Sequence, residues 1–600
     1  MKTTNDIKSV YEKKLETVQL NILSLQNRSL RYSSVRLILF ISTVALVAIS
    51  LLKVHFSMLW AVIPLIAFIV SVVKHDRIFR EKERLGWVLA FYEDGLRRIN
   101  DSWYGHGLRG TDYVDENHLF ARDLDIFGDD SLFELMCTAQ TAGGETQLAA
   151  WLSAPSERGV ILARQEAVKE LTDQLQLRED ISVAARRMRS LLNPQRLNEW
   201  ATASSSLAPR SFGAYRMLFF GLGAMAVAAG VSCFFTDIGL ALLVGVGVLQ
   251  WIIGRALKSI LSPILLGVEG PRRQLKIMSD ILSRLEQQPV QCALLQTLHE
   301  TFTVHREAAS HATARLGRLV DWLDQAKNQV FAPIAFLLMW NGHFALSIEK
   351  WRLEFGTHIP KWLNTIGQME ALCALSGFAF EHPDYPFPEI LDGAPVYEGK
   401  ALGHPLLPGN ECVRNGVSLS DKPKVWVVSG SNMSGKSTFL RVIGINAVLA
   451  MSGAPICGES LRMTPLAIGS TIRVLDSLHK GKSRFYTEIS TLKHIMEKTE
   501  GTFPLLFLLD EIFHGTNSHD RTIGAQAVIH ELIKRNAIGL VTTHDLALTK
   551  TADALGEEAR NVHFDDTVKE GRLSFDYTLK DGPVTRSNAL ELMRSVGLKV

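Results

Sequence analysis

Four uncharged apolar runs dominate the hydropathy pattern of the 600-residue chain, and they fall in two pairs. Residues 37–52 and 56–73 make the first pair, residues 217–235 and 238–253 the second, each joined by a short turn. Runs of about 16 to 18 residues sit near the lower limit for a helix that crosses a bilayer. One such run alone would equally suit a buried helix of a globular domain. Their pairing predicts two transmembrane hairpins, over 37–73 and 211–254. Residues 330–346 are similarly apolar, but Asn341, Gly342 and His343 interrupt them, so a core helix is expected there rather than a fifth span.

Outside the runs the pattern turns to helical spacing. In residues 1–36, Val10, Leu15, Val18, Leu20, Ile22 and Leu25 form a loose stripe that predicts an N-terminal amphipathic helix. Residues 74–117 read as a charged stalk and linker. Residues 118–210 read as the first part of a helical core, and 255–388, with heptad-like apolar spacing, as its second part built of antiparallel helices. The stalk contains Phe91-Tyr-Glu93, which resembles a Phe-x-Glu wedge inserted into DNA by some proteins; on a juxtamembrane helix it is read as ordinary helix surface. Three prolines within 382–388 end the helical region. From 389 to 600 short apolar strands alternate with helices, the pattern of an α/β domain.

Charge adds an orientation. The 64 basic and 62 acidic residues nearly cancel, so any nucleic-acid site must be a local patch. Basic residues cluster outside both hairpins: Arg28, Arg31 and Arg36, then Lys74, Arg77, Arg80, Lys82 and Arg84, flank the first. Arg210, Arg216, Arg255, Lys258, Arg272 and Arg273 flank the second, and the connecting turns hold only Lys53 and His55. The positive-inside rule then places the N-terminus and the α/β domain in the cytoplasm of a multi-pass cell-membrane protein. The first apolar run starts too late and is too long for the core of a cleavable signal peptide, so none is expected. Six scattered cysteines without metal-ligand spacing read as free thiols.

Chemistry concentrates in the α/β domain. The apolar strand Val425-Trp-Val-Val runs into Gly430-Ser-Asn-Met-Ser-Gly-Lys-Ser-Thr438, and Gly430, Gly435, Lys436 and Ser437 fit the phosphate-loop pattern G-x-x-x-x-G-K-[ST]. Glycines there let backbone N–H groups face phosphate oxygens, while the Lys supplies a cation and the Ser a Mg²⁺ ligand. A second apolar strand ends in Asp510-Glu511: Asp510 is expected to hold Mg²⁺ and Glu511 to orient or deprotonate the attacking water. A third ends in His544, placed to meet a terminal phosphate or that water, or simply to be satisfied by a loop. Ser483 precedes a helix, where it either caps that helix or reaches the phosphate of a neighbouring subunit.

The order of these motifs resembles the MutS mismatch-repair ATPase family. Gly430-Ser-Asn-Met-Ser-Gly-Lys-Ser-Thr438 resembles G-P-N-M-G-G-K-S-T, and Asp510-Glu-Ile-Phe-His-Gly-Thr-Asn517 resembles D-E-L-G-R-G-T-S. Ser483-Arg-Phe-Tyr-Thr-Glu-Ile489 is similar to S-T-F-x-x-E-M, and Thr542-Thr-His544 to A-T-H. The resemblance is specific over about 365–600 and fair over about 118–190, where Gly144, Trp151, Pro155 and Arg164-Gln-Glu-Ala-Val168 follow the lever-domain pattern. It implies a multidomain α plus α/β protein with a helical lever/core and a C-terminal ABC-type P-loop ATPase domain. It further implies ATP and Mg²⁺ as ligands and a homodimer with two nucleotides between paired ATPase domains. Ser431, Asn432, Met433, Ser434 and Thr438 would join the nucleotide-binding loop, Ser483 would complete the partner's site, and Tyr577 would contact the adenine. The chain departs from the family by carrying hairpins and no mismatch-reading domain before Asp123. The expected function is therefore a membrane-anchored MutS-like ATPase whose helical arms close on DNA or another elongated partner. A transporter and an ATP-switched membrane scaffold are the alternatives.

Overall fold

The computed structural model describes residues 3–51, 58–189, 194–205, 207, 211–266, 272–329, 331–473, 484–513, 516–569 and 572–584. Two compact units interleave in sequence: Met1–Thr138, Leu148–Leu175 and Cys373–Val600 make the first, Ala139–Gln147 and Gln176–Leu372 the second.

The first unit is built on a six-stranded sheet. Its strands are β1 (Val425–Ser429), β2 (Ala467–Thr471), β3 (Leu505–Asp510), β4 (Ile538–Thr543), β5 (Ala559–Lys569) and β6 (Arg572–Asp581), in spatial order β6-β5-β1-β4-β3-β2. All pairings are parallel except β5 with β6. The central strands read as unbroken apolar runs because helices cover both faces, as parallel sheets require. Every residue of β1 and β4 is buried. At Gly539 in β4 an added Cβ would lie 2.1 Å from the Phe507 carbonyl oxygen, so the close fit of β4 against β3 depends on a residue without a side chain. A second sheet of four strands, Glu389–Ile390, Ser460–Met463, Tyr397–Leu402 and Asn415–Leu419, completes this part of the unit.

Two further segments are tied into the same unit. The Asp123 carboxylate accepts hydrogen bonds from the Ser470 hydroxyl and from the backbone N–H groups of Ile472 (2.7 Å) and Arg473 (3.1 Å), pinning its loop to the end of β2. The Arg473 guanidinium pairs with Asp125 at 2.7 Å. The N-terminal stripe and the first apolar run are one continuous 48-residue helix, Thr4–Leu51, and the second run continues into the stalk as Val62–Ile99. Near their outer ends Tyr11 packs edge-on to Tyr92 at 5.5 Å. Arg98 grips the buried Glu381 carboxylate with two hydrogen bonds of 2.7 Å, and the Tyr11 hydroxyl donates to it at 3.2 Å. Tyr92 is fully buried and Phe91 stacks edge-on against it at 5.3 Å, so this stretch serves helix packing.

Among its described residues, the second unit is helical apart from a hairpin of two-residue strands at 303–308. Helices Arg272–Glu286 and Ala309–Gln325 pack together, burying Leu275, Met278, Leu282, Leu316 and Val320, with Ser279 donating to the Ser310 carbonyl at 2.9 Å. Arg352 and Glu349 form a buried pair at 2.6 Å, satisfied further by the Trp200 carbonyl. Glu370 accepts from the N–H groups of Gln140 and Thr141 and from the Thr141 hydroxyl; burial nevertheless pushes its pKa up to about 7. Helices Phe212–Ser232 and Gly239–Leu266 contain the second pair of apolar runs. Among the described residues four helices, two in each unit, are long and apolar enough to cross a membrane. Residues 331–345 form no single core helix. A short helix Ala332–Leu337 is separated from Trp340–Phe355 by Met339 in the left-handed region at φ 51°.

Candidate nucleotide site

The loop after β1 turns on residues that L side chains rarely permit. Gly430 has φ 153° and Gly435 φ 103°, and the exposed tip residue Met433 also lies at positive φ, 68°. This curvature aims the start of helix Lys436–Ser452 at the open end of the sheet, where its unpaired N–H groups and dipole favour an anion. The Lys436 side chain is 4% exposed, and its ammonium donates at 2.8 Å to the carbonyl oxygens of both Gly430 and Ser431, with Glu511 3.4 Å away. The loop thus holds its own cation folded inward.

The ends of β3 and β4 supply the facing groups. Ser437 donates to Asp510 Oδ2 at 2.6 Å, and Thr542 donates to the other carboxylate oxygen. Thr542 also accepts from the Glu511 N–H at 3.1 Å, so one hydroxyl fixes both acidic residues. Burial is the largest influence on Asp510 and raises its pKa, with the two hydroxyl donors opposing it. Burial acts upward on Glu511 as well, but Lys436 and His544 together outweigh it and hold this carboxyl below its ordinary range. His544 Nδ1 stands 3.3 Å from Glu511 Oε1. Glu511 itself has φ 44°, a conformation that turns its side chain back toward Lys436.

These groups open onto a cavity of about 590 Å³, within the range of small-molecule sites. Ser431, Asn432, Met433, Gly435, Lys436, Ser437, Thr438, Asp510, Glu511 and Tyr577 all line it. Tyr577 is held from behind, since Asn415 donates to its carbonyl at 2.9 Å and accepts from Leu579 N–H at 2.8 Å. The Ser431 hydroxyl is buried there without a hydrogen-bond partner, a cost that a phosphate oxygen would relieve, and the Ser434 hydroxyl of the same loop is likewise buried and unpartnered. Behind Glu511 a second cavity of about 20 Å³, bounded by Thr542, His544 and Arg521, has room for about one water.

The region carrying this geometry, residues 426–599, matches the family model MutS domain V. Over 242 residues the chain is 30% identical to the DNA mismatch repair protein MutS of Lactococcus lactis subsp. lactis (strain IL1403), 39% of this chain and 28% of that protein. It is 32% identical over 241 residues to the DNA mismatch repair protein MutS 2 of Halobacterium salinarum, covering 39% of this chain and 27% of that protein. Residues 426–599 are thus similar to domain V of MutS proteins. The chain spans just over a quarter of the length of these relatives.

Within the MutS domain the residues singled out in the sequence converge, with Lys436, Ser437, Asp510, Glu511 and His544 in one continuous set of contacts. Ser483 lies outside the described residues. Thr542 was visible in sequence only as part of Thr-Thr-His; its role in holding Asp510 and Glu511 follows from the pairing of β3 with β4, which sets Thr542 opposite Asp510. Asn415 stands in Val413-Arg-Asn415, which resembles the family's approach to the loop, but its hold on Tyr577, more than 160 residues away, had no local signal. In the second unit Arg315 is already paired with Glu307 (3.2 Å) and Glu354 (3.4 Å).

Proposed function

We propose that this chain is a membrane-anchored MutS-like ATPase that works as a homodimer and couples ATP turnover to movement of helical arms on DNA. The observation that carries the ATPase part is the contact set Ser437–Asp510–Thr542–Glu511–Lys436 at the mouth of one cavity. Lys436 would exchange the loop carbonyls for phosphate oxygens of ATP, and the buried hydroxyls of Ser431 and Ser434 would gain acceptors. Ser437 and Asp510 would hold Mg²⁺, which neutralises charge on the phosphates. Glu511, ionised at neutral pH, accepts a proton from the attacking water, with His544 holding the carboxylate in place. Tyr577 borders the cavity beside Gly435 and offers a ring face to the base.

DNA enters this reading because the relatives are DNA mismatch repair proteins, and the membrane through four apolar helices flanked by basic residues. Both hairpins would anchor the protein with its ATPase domain in the cytoplasm. ATP turnover by the full chain in lipid nanodiscs, measured alone, with homoduplex and with mismatched duplex, tests the proposal. Duplex DNA should bind and change the rate, and Lys436→Ala should abolish it. Turnover that persists in Lys436→Ala would overturn the site assignment. A rate indifferent to both duplexes, without binding at moderate salt, would leave a DNA-independent membrane scaffold or transporter.

A further inference from the structure

The break at 338–339 places an irregular stretch of backbone against the second pair of apolar helices. Gly223 lies against Leu338, Gly247 against the Phe336 ring, and Gly342 against the Phe219 ring, so the short helix Ala332–Leu337 and the start of Trp340–Phe355 are docked on this hairpin. The Gln250 side chain, 1% exposed within the apolar helix Gly239–Leu266, donates to the carbonyl oxygens of Leu222 (3.0 Å) and Leu337 (2.8 Å). Leu337 ends its helix, and the last carbonyls of a helix lack partners within it. A polar side chain reaching out of a span to satisfy such a carbonyl is what a non-aqueous site demands, because backbone in hydrocarbon must be satisfied by protein.

Depth follows from the helical rise. Leu222 is six residues inside Arg216, and Gln250 five inside Arg255, which puts the contact roughly 8 Å below the basic residues. That matches the roughly 5–10 Å at which interfacial helices lie. The surroundings agree: Ile334 and Phe336 are exposed, Trp322, Phe331 and Phe344 gather around Trp340 with ring centroids 4.9–6.0 Å away, and Trp251 carries Arg255 at 5.8 Å. Aromatic girdles of this kind sit at headgroup level.

We infer that residues 331–340 are a membrane-dipping element, seated in the cytoplasmic leaflet against the second hairpin with Ile334 and Phe336 in contact with acyl chains. The inference rests on the membrane reading of that hairpin. The partner surface is the lipid bilayer itself, and the helical unit therefore touches the membrane through a third element that does not cross it.

The full chain, reconstituted into vesicles of phosphatidylcholine bearing a diazirine on the acyl chain, is irradiated and its lipid adducts are mapped by mass spectrometry. Adducts are expected on Ile334 or Phe336 as well as within 217–253, clearly above the background on the helix Arg158–Thr172. Gln250→Leu should reduce the 331–340 adducts while sparing those of the spans. Labelled spans with unlabelled 331–340 would overturn the inference and leave the hairpin reading intact. Unlabelled spans would defeat the hairpin reading itself.

Discussion

At the scale of single residues, the two neighbouring carboxylates differ in kind because their surroundings differ. Asp510 is buried between hydroxyl donors and its pKa is raised, so its ionised form is held at a cost in the folded, ligand-free protein. Asp510→Asn should then raise the nucleotide-free melting temperature at neutral pH, with the gain shrinking as pH falls, while Mg²⁺-dependent turnover is lost. Glu511 is shifted the other way: its contribution is present above the unfolded glutamate pKa and disappears as pH falls through the lower folded value. Glu511→Gln should slow hydrolysis by about 10²- to 10⁴-fold, the usual worth of a general base, yet leave ATP binding measurable by fluorescent-analogue titration. His404, at the edge of the same cavity, is buried and neutral, with Nδ1 accepting from Leu406 N–H; burial, assisted by Arg441, lowers its pKa to about 4. The penalty is absent above about pH 6.5 and grows toward pH 4, to roughly 3 kcal/mol, as the unfolded chain alone takes up the proton. Thermal unfolding of His404→Gln against pH should show that slope removed.

At the scale of elements, close approach and buried charge carry the testable consequences. Gly539→Val would drive β4 off β3, since any Cβ meets the Phe507 carbonyl. A loss of about 1–3 kcal/mol is expected, read as a lower melting temperature in detergent, with the Asp510–Thr542 contact and turnover disturbed together. The Arg98–Glu381 pair fastens the stalk Val62–Ile99 to the first unit, with the two side chains 12% and 1% exposed. Glu381→Gln strands the Arg98 charge and should cost about 3 kcal/mol, part of which Arg98→Ala in the same chain restores. Periodicity made the central strands legible, because a parallel sheet covered on both faces demands unbroken apolar runs. It also marked the four apolar helices. It misread 330–346, where Met339 adopts a left-handed backbone that no residue type there announces, and the apolar character serves docking on a neighbouring hairpin.

For the whole molecule, the prediction is that the chain behaves as an integral membrane protein with a soluble engine. Alkaline carbonate and high salt should leave it in the membrane pellet, and detergent should release it. Recovery in the carbonate supernatant would contradict the two-hairpin anchor. If the arms meet DNA through phosphate contacts, affinity should fall steeply with salt, by about 0.9 in log K per log salt for each phosphate neutralised. A flat dependence would place binding elsewhere. The second unit's Arg315 is spent on Glu307 and Glu354, so Arg315→Ala should leave that slope unchanged.

The order of residues alone determined that a phosphate loop, two strand-end carboxylates and a strand-end histidine belong to one α/β domain, because such motifs are local and their spacing reflects strand, turn and helix directly. It determined the apolar helices for the same reason. Tertiary structure decided what those groups do to one another. Thr542 reaches Asp510 only because β4 lies beside β3, Lys436 is folded onto its own loop and Glu511, and Asn415 braces Tyr577 from a distant strand. Such contacts join residues tens to hundreds of positions apart, and no local pattern encodes which of the possible partners packing will bring within reach.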